Sequence, residues 1–161
     1  MEENIDFDAM RDDYKKFKTK YNLPDFEKLA EDFDIEKDDE KRTSFVLRDI
    51  RKSITEKISS CFQFFEILIN PSSPPSFIFS FLRNMTPEDK KEIKEIHKEL
   101  VELEIEILKR DTVYNEELEA KFIKKSFEKW QEIKLRISKI LDKIDKSSGA
   151  LNNSKTSGYF M

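Results

Sequence analysis

The chain has 161 residues, of which 40% are charged and 37% are hydrophobic, and its net charge is −4. Its two glycines, Gly149 and Gly158, lie near the C-terminal end. The residues before Gly149 therefore cannot form glycine-dependent hairpin turns or a glycine-rich phosphate loop. A single cysteine, Cys61, excludes an internal disulfide. The length suits one domain with a core of its own.

Charge is distributed unevenly along the chain. Residues 1–40 have 15 acidic and 7 basic side chains, which predicts an acidic N-terminal helical arm. The first residues lack the basic segment and the apolar stretch of a signal peptide. The sequence contains no run of about 18 apolar residues, so it predicts no transmembrane helix. Together with the lone cysteine, these features predict a cytoplasmic protein.

The acidic arm is predicted to contain two short helices, because its apolar residues alternate at three- and four-residue spacing. The stripe of the first helix is Phe7, Met10, Tyr14, Phe17 and Tyr21. Asn22 as a cap and Pro24 in the first turn predict the start of the second helix.

Three longer stripes predict three long helices within residues 41–146. The first ends at Ile69, before an Asn-Pro pair. The second opens on "TPED", with Thr86 as N-cap and Asp89 as the acid of a capping box, and continues as a heptad stripe typical of a coiled coil. Asn115 is predicted to cap the third helix.

Short connections between long helices favour antiparallel packing. The predicted fold is all-α: an elongated antiparallel three-helix bundle, with the two short N-terminal helices packed on it as a fourth element. Residues 147–161 have the composition of a linker, which predicts a disordered tail.

A proline- and serine-rich elbow, "PSSPP", separates the first two long helices and precedes "SFIFSFL". This apolar segment is too short to cross a bilayer. A shallow membrane contact and a purely structural cap of the bundle are both left open. Phe77, Phe79, Phe81 and Leu82 cannot all point the same way on one helix, so the surplus apolar surface predicts a contact with a partner.

The last long helix has nine bases and four acids between residues 121 and 146. Much of one outward face is shared by Lys125, Lys129, Arg136, Lys139 and Lys143. Such a face could bind nucleic acid through counterion release. It could also be solvated, or receive the acidic arm.

Residues suited to catalysis or metal binding are few. The single histidine, His97, does not belong to a Glu-x-x-His motif, and Cys61 lies on a core stripe where thiols are inert. Glutamates on the second long helix alternate with lysines, which is typical of a solvated face. The sequence thus predicts no catalytic residue, no metal ligand and no cofactor.

Arg51 falls among the apolar positions of the first long helix, with Arg48 one turn before it. Glu104 similarly interrupts the stripe of the second. A buried arginine can fix the register of helices by pairing with a facing carboxylate. The functional alternative is an anion pocket around Arg51.

The segments "LRDIRKSITEKI" (47–58) and "FIKKSFEKWQEIK" (122–134) resemble a small Lys/Glu-rich helical family of uncharacterised archaeal proteins. The resemblance implies an all-helical cytosolic protein, and it assigns no site or activity. The sequence favours a non-enzymatic protein-interaction module that binds a protein partner or itself. The alternatives are a nucleic-acid-associated protein that uses the basic helix, and a small helical enzyme with the anion pocket around Arg51.

Overall fold

The computed structural model describes the backbone of residues 3–35 and 45–158, and the side chains of residues 8–35 and 45–149. Within these ranges the chain forms six α-helices and no strand. They are α1 (Glu3–Tyr21), α2 (Phe26–Asp32), α3 (Val46–Ile69), α4 (Ser76–Arg83), α5 (Pro87–Arg110) and α6 (Glu116–Gly158). Over the part of the chain that is described, none of these helices is long and apolar enough to span a bilayer.

The all-α prediction is confirmed, because the three long helices α3, α5 and α6 pack together as a bundle that short helices complete. Each long helix buries an apolar stripe. In α5 the buried side chains are Ile93, Ile96, Leu100, Leu103 and Ile107. Their three- and four-residue spacing places them on one face of the helix, as the sequence predicts.

Contacts between residues divide the chain into two compact units. The first comprises Met1–Ser60 and Glu102–Trp130, and the second comprises Cys61–Val101 and Gln131–Met161. The first unit therefore contains α1 and α2 together with one end of each long helix. The predicted boundary between arm and bundle, at residue 40, lies outside the described residues.

The turn between α1 and α2 differs from the prediction. α2 begins at Phe26 with Asp25 as its N-cap residue, instead of using Asn22 and Pro24. Asn22 has a φ of 52°, the left-handed conformation that asparagine tolerates at the end of a helix. The carbonyl of Pro24 accepts a hydrogen bond of 2.5 Å from the buried Tyr14 hydroxyl, which ties α1 to the turn.

The C-terminal helix α6 extends to Gly158, into the segment whose composition predicts a tail from Ser147 onward. Gly149 lies within the helix, and a Cβ at this position would meet no atom within 4 Å. Its φ is not positive, so it does not end the helix in the left-handed conformation. The segment also has no proline to prevent helical backbone, and a helix end at Ser147 is therefore not observed.

The start of α5 is a reciprocal capping box, which confirms the prediction. The N–H of Asp89 donates to Thr86 Oγ1 at 3.1 Å, and the N–H of Thr86 donates to Asp89 Oδ2 at 3.2 Å. Lys143 of α6 donates to the other carboxylate oxygen of Asp89. The hydrogen bonds from Lys143 and Thr86 lower the pKa of Asp89 and outweigh the opposite effect of burial.

Asp89→Asn is expected to lower the free energy of unfolding by about 1 kcal/mol at neutral pH, because it weakens the cap and removes the charge that Lys143 binds. The pKa of Asp89 in the folded state lies below the usual 3.8. Its charge therefore contributes to stability above pH 3.8, and this contribution disappears as the pH falls through the folded-state pKa. Urea unfolding of both proteins across this range checks the expectation. Glu88→Gln, an exposed change in the same turn, is the control. A loss that is independent of pH would contradict the role of the charge.

Candidate functional site

One face of the helix α4 is packed in the core, and side chains on either side of that face are exposed. Ile78 and Phe81 are buried, whereas 49% of Phe77 and 51% of Phe79 remain exposed. Leu82 is half-buried. The split follows from the helical period, because positions 78, 81 and 82 share a face and positions 77 and 79 lie on either side of it.

The predicted partner surface is therefore reduced to Phe77 and Phe79. Phe81 is corrected from a surface residue to a core residue, because its ring lies on the anchored face of α4. Ile78 is the second anchor, and it was not among the residues predicted for this surface. Its three-residue separation from Phe81 was the available signal.

A pocket of about 260 Å³ opens beside α4. Its lining residues are Ser76, Phe79, Ser80, Arg83 and Asn84. The guanidinium carbon of Arg83 lies 5.7 Å from the centre of the Phe79 ring, a cation–π contact. Arg83 has no ion-pair partner among the residues whose side chains are described.

Arg136, one of the five bases of the predicted basic face, binds glutamates of α5. Its Nε and Nη2 donate to the two oxygens of Glu92 at 2.6 and 3.2 Å. Nη1 donates to Glu99 at 3.1 Å, and Nη2 to Glu95 at 3.4 Å. The bidentate contact raises the pKa of Arg136 and lowers that of Glu92. Glu92, Glu95 and Glu99, which were predicted to lie on a solvated face, therefore form a binding site for this arginine.

The other four bases of the predicted face differ in their surroundings. Lys143 binds Asp89, while Lys125 and Lys139 are exposed. Lys125 and Lys129 belong to the first unit, whereas Lys139 and Lys143 belong to the second. Arg136 and Lys143 are thus paired with carboxylates, which reduces the charge that could release counterions from nucleic acid.

Arg51 is a buried cation in the first unit, with 3% of its side chain exposed. Its Nη1 donates to Asp111 Oδ1 at 2.7 Å, and its Nε lies 2.7 Å from Oε2 of Glu119. Glu119 is 1% exposed. Burial raises the pKa of Glu119, and the positive charges of Arg51, Arg48 and Arg110 oppose this effect. Arg51 therefore has two carboxylate partners that occupy two of its donor groups.

Glu119 and Asp111 are functional candidates that the sequence analysis missed. For Glu119 a signal existed, because it begins a buried series at three- and four-residue spacing: Glu119, Ile123, Ser126, Trp130 and Ile133. No comparable signal exists for Asp111, which follows the end of α5. Glu104, the acid that interrupts the α5 stripe, instead accepts a hydrogen bond of 2.5 Å from Ser59.

The single histidine is packed within the second unit. His97 Nε2 lies 2.5 Å from Oε1 of Glu66, and its ring stacks on Phe62 at 5.6 Å between centres. The hydrogen bond with His97 lowers the pKa of Glu66. Across residues 8–35 and 45–149, no group of three or more His, Cys, Asp or Glu side chains is arranged to hold a metal ion.

Comparison with models of protein families, with curated proteins and with solved structures found no match for this chain. The resemblance to an archaeal Lys/Glu-rich family stays a prediction. The exposed rings of α4 and the buried charges around Arg51 are the features from which a function can be inferred.

Proposed function

We propose that this protein is a non-enzymatic interaction module that binds a short segment of a partner protein at α4. The half-exposed rings of Phe77 and Phe79, next to the buried Ile78 and Phe81, support this proposal. Aromatic side chains are enriched at the energetic centres of protein interfaces. Because α4 is anchored before the partner arrives, binding does not have to order it.

The exposed area favours a short partner segment over a second copy of the chain. A phenylalanine side chain buries about 150–250 Å² when it is fully covered, so two half-exposed rings offer roughly 200 Å². A stable protein–protein interface covers about 800 Å² on each partner. The two rings therefore suit the anchoring of a peptide better than the core of a dimer.

The surroundings of the pocket define the chemistry of the partner. At about 260 Å³, the pocket is below the usual size for drug-like ligands and has room for one side chain. All its lining residues except Phe79 are polar, so an acidic side chain suits it better than an apolar one. Arg83 lines the pocket and has no carboxylate partner among the described residues. A partner segment with an apolar residue next to Asp or Glu would cover the exposed rings with the apolar side chain and place the carboxylate against the guanidinium of Arg83.

Selection from a phage-displayed library of random peptides tests this proposal. We expect the wild-type protein to enrich peptides that have an apolar residue beside an acidic one. The double substitution Phe77→Ser and Phe79→Ser should weaken their binding by about tenfold or more, because it removes both anchors. Arg83→Gln should abolish the preference for an acidic residue. Titration of a fluorescent copy of an enriched peptide measures each effect.

Leu135→Ser is the matched control, because it removes another exposed apolar side chain outside α4. It should bind the peptides as the wild type does. Failure to enrich any peptide, or an equal loss in the control, would contradict the proposal.

Light scattering should give a mass near 19.3 kDa. A doubled mass that the two serine substitutions halve would identify a second copy of the chain as the partner instead.

A further inference from the structure

The charged cluster around Arg51 contains hydrogen-bond donors without acceptors. Arg48 lies one turn before Arg51 on α3, so both arginines share a face of that helix. Arg110 ends α5 and directly precedes Asp111, whose carboxylate binds Arg51. The Nε atoms of Arg48 and Arg110 are buried and have no hydrogen-bond partner in the described part of the chain. A buried donor of this kind is unfavourable until an acceptor reaches it.

The cluster has more positive than negative charge. It contains three arginines, Arg48, Arg51 and Arg110, and two carboxylates, Asp111 and Glu119, both of which pair with Arg51. Arg48 and Arg110 are near enough to Glu119 to favour its charged form. Neither of them forms an ion pair with a described residue. One positive charge and several N–H donors therefore remain for an additional anion.

We propose that Arg48 and Arg110 bind a phosphoryl group beside Asp111. Guanidinium groups match oxyanions because each can donate two parallel hydrogen bonds. Arg51 would not be the main ligand, since its Nη1 binds Asp111 and its Nε lies against Glu119. Its buried charge would still favour an anion nearby.

Asp111 would compete with such an anion for the arginines of the cluster. Its side chain is 55% exposed, so it lies where the cluster meets solvent, and its carboxylate already binds one guanidinium. Removal of its charge should leave more positive potential for an external phosphoryl group. Substitutions at Asp111 and at the two arginines are therefore expected to change phosphate affinity in opposite directions.

Isothermal titration calorimetry with inorganic phosphate, in chloride buffer at constant ionic strength, tests the proposal. We expect the wild-type protein to bind phosphate with a Kd of about 1 mM or tighter. Arg48→Gln and Arg110→Gln should each weaken binding by about tenfold. Asp111→Asn should tighten binding several-fold. Glycerol phosphate in a parallel titration distinguishes a site for phosphate esters from one that accepts only the free ion.

Lys90→Gln is the control, because it removes an exposed base of α5 in the second unit and should leave phosphate binding unchanged. Circular dichroism establishes that each variant is folded. If an arginine variant does not fold, Asp111→Asn alone still tests the site, since a misfolded protein would not bind more tightly. No heat of binding to the wild type, an equal loss in Lys90→Gln, or weaker binding by Asp111→Asn would each overturn the proposal.

Discussion

Arg51→Met should destabilise the protein by about 3–5 kcal/mol, because it leaves Glu119 as a buried carboxylate without its nearest cation. The two side chains are almost fully buried, with Nε and Oε2 at 2.7 Å. Methionine keeps much of the apolar stem of arginine, so the change removes mainly the charge. Globular proteins are typically stable by about 5–15 kcal/mol, and a loss of this size is measurable by urea unfolding.

The double substitution Arg51→Met and Glu119→Met should restore stability to within about 2 kcal/mol of the wild type, because the buried carboxylate is then removed together with its nearest cation. Asp111 is largely exposed, so water can solvate it when Arg51 is absent. Lys57→Met is the control: it breaks a surface ion pair with Asp34, at 2.8 Å, which is expected to cost at most about 1 kcal/mol. If Arg51→Met costs no more than this control, the buried pair does not contribute as argued.

The pH dependence of Arg51→Met provides a second readout. Burial raises the pKa of Glu119, so the folded protein binds this proton more tightly than the unfolded chain does. The contribution of Glu119 to stability therefore increases as the pH falls through its raised pKa. Arg51→Met raises that pKa further. The free energy of unfolding of Arg51→Met should therefore approach that of the double variant at acidic pH. A deficit that does not change with pH would mean that Glu119 is not the source of the loss.

The starts of α5 and α6 were predictable from sequence, because the determinants of each start are near one another in the chain. Thr86 and Asp89 are three residues apart and form the predicted box. The N–H of Leu118 donates to Asn115 Oδ1 at 3.0 Å, which confirms the predicted cap of α6. A cap of this kind depends on one turn of helix and not on tertiary packing.

The partners of the charged residues were not predictable, because they depend on the register between helices. Burial of Arg51 could be inferred from its position on an apolar stripe, but its choice of Glu119 and Asp111 could not. The same holds for Arg136 and the α5 glutamates. A shift of one turn, about 5.4 Å, would have offered each arginine different carboxylates.

For α4, the sequence established only that its apolar residues could not all be buried. Which of them became anchors depended on how the helix is rotated against its neighbours. The structure buries Ile78 and Phe81 and leaves Phe77 and Phe79 half exposed. An eight-residue helix has too few turns for its apolar periodicity to determine this rotation.

Phe33→Ala is the second substitution with a large expected effect, a loss of about 3–5 kcal/mol. Phe33 follows α2, is buried, and has its ring centre 5.7 Å from that of Trp130 on α6. Truncation would leave a cavity in the first unit that the surrounding helices can fill only in part. The loss would establish that the acidic N-terminal region belongs to the core of this unit.

Trp130 is the only tryptophan, so its fluorescence reports directly on the neighbourhood of Phe33. If the N-terminal helices fold as part of the first unit, Phe33→Ala should shift the unfolding midpoints from fluorescence and from circular dichroism to lower urea together. Phe45→Ala is the control, because Phe45 is partly exposed and stacks on Tyr114 at 4.5 Å; it should cost only about 1 kcal/mol. An unchanged Trp130 transition in Phe33→Ala would instead mean that the acidic region unfolds as a separate arm, independent of the helices that it contacts.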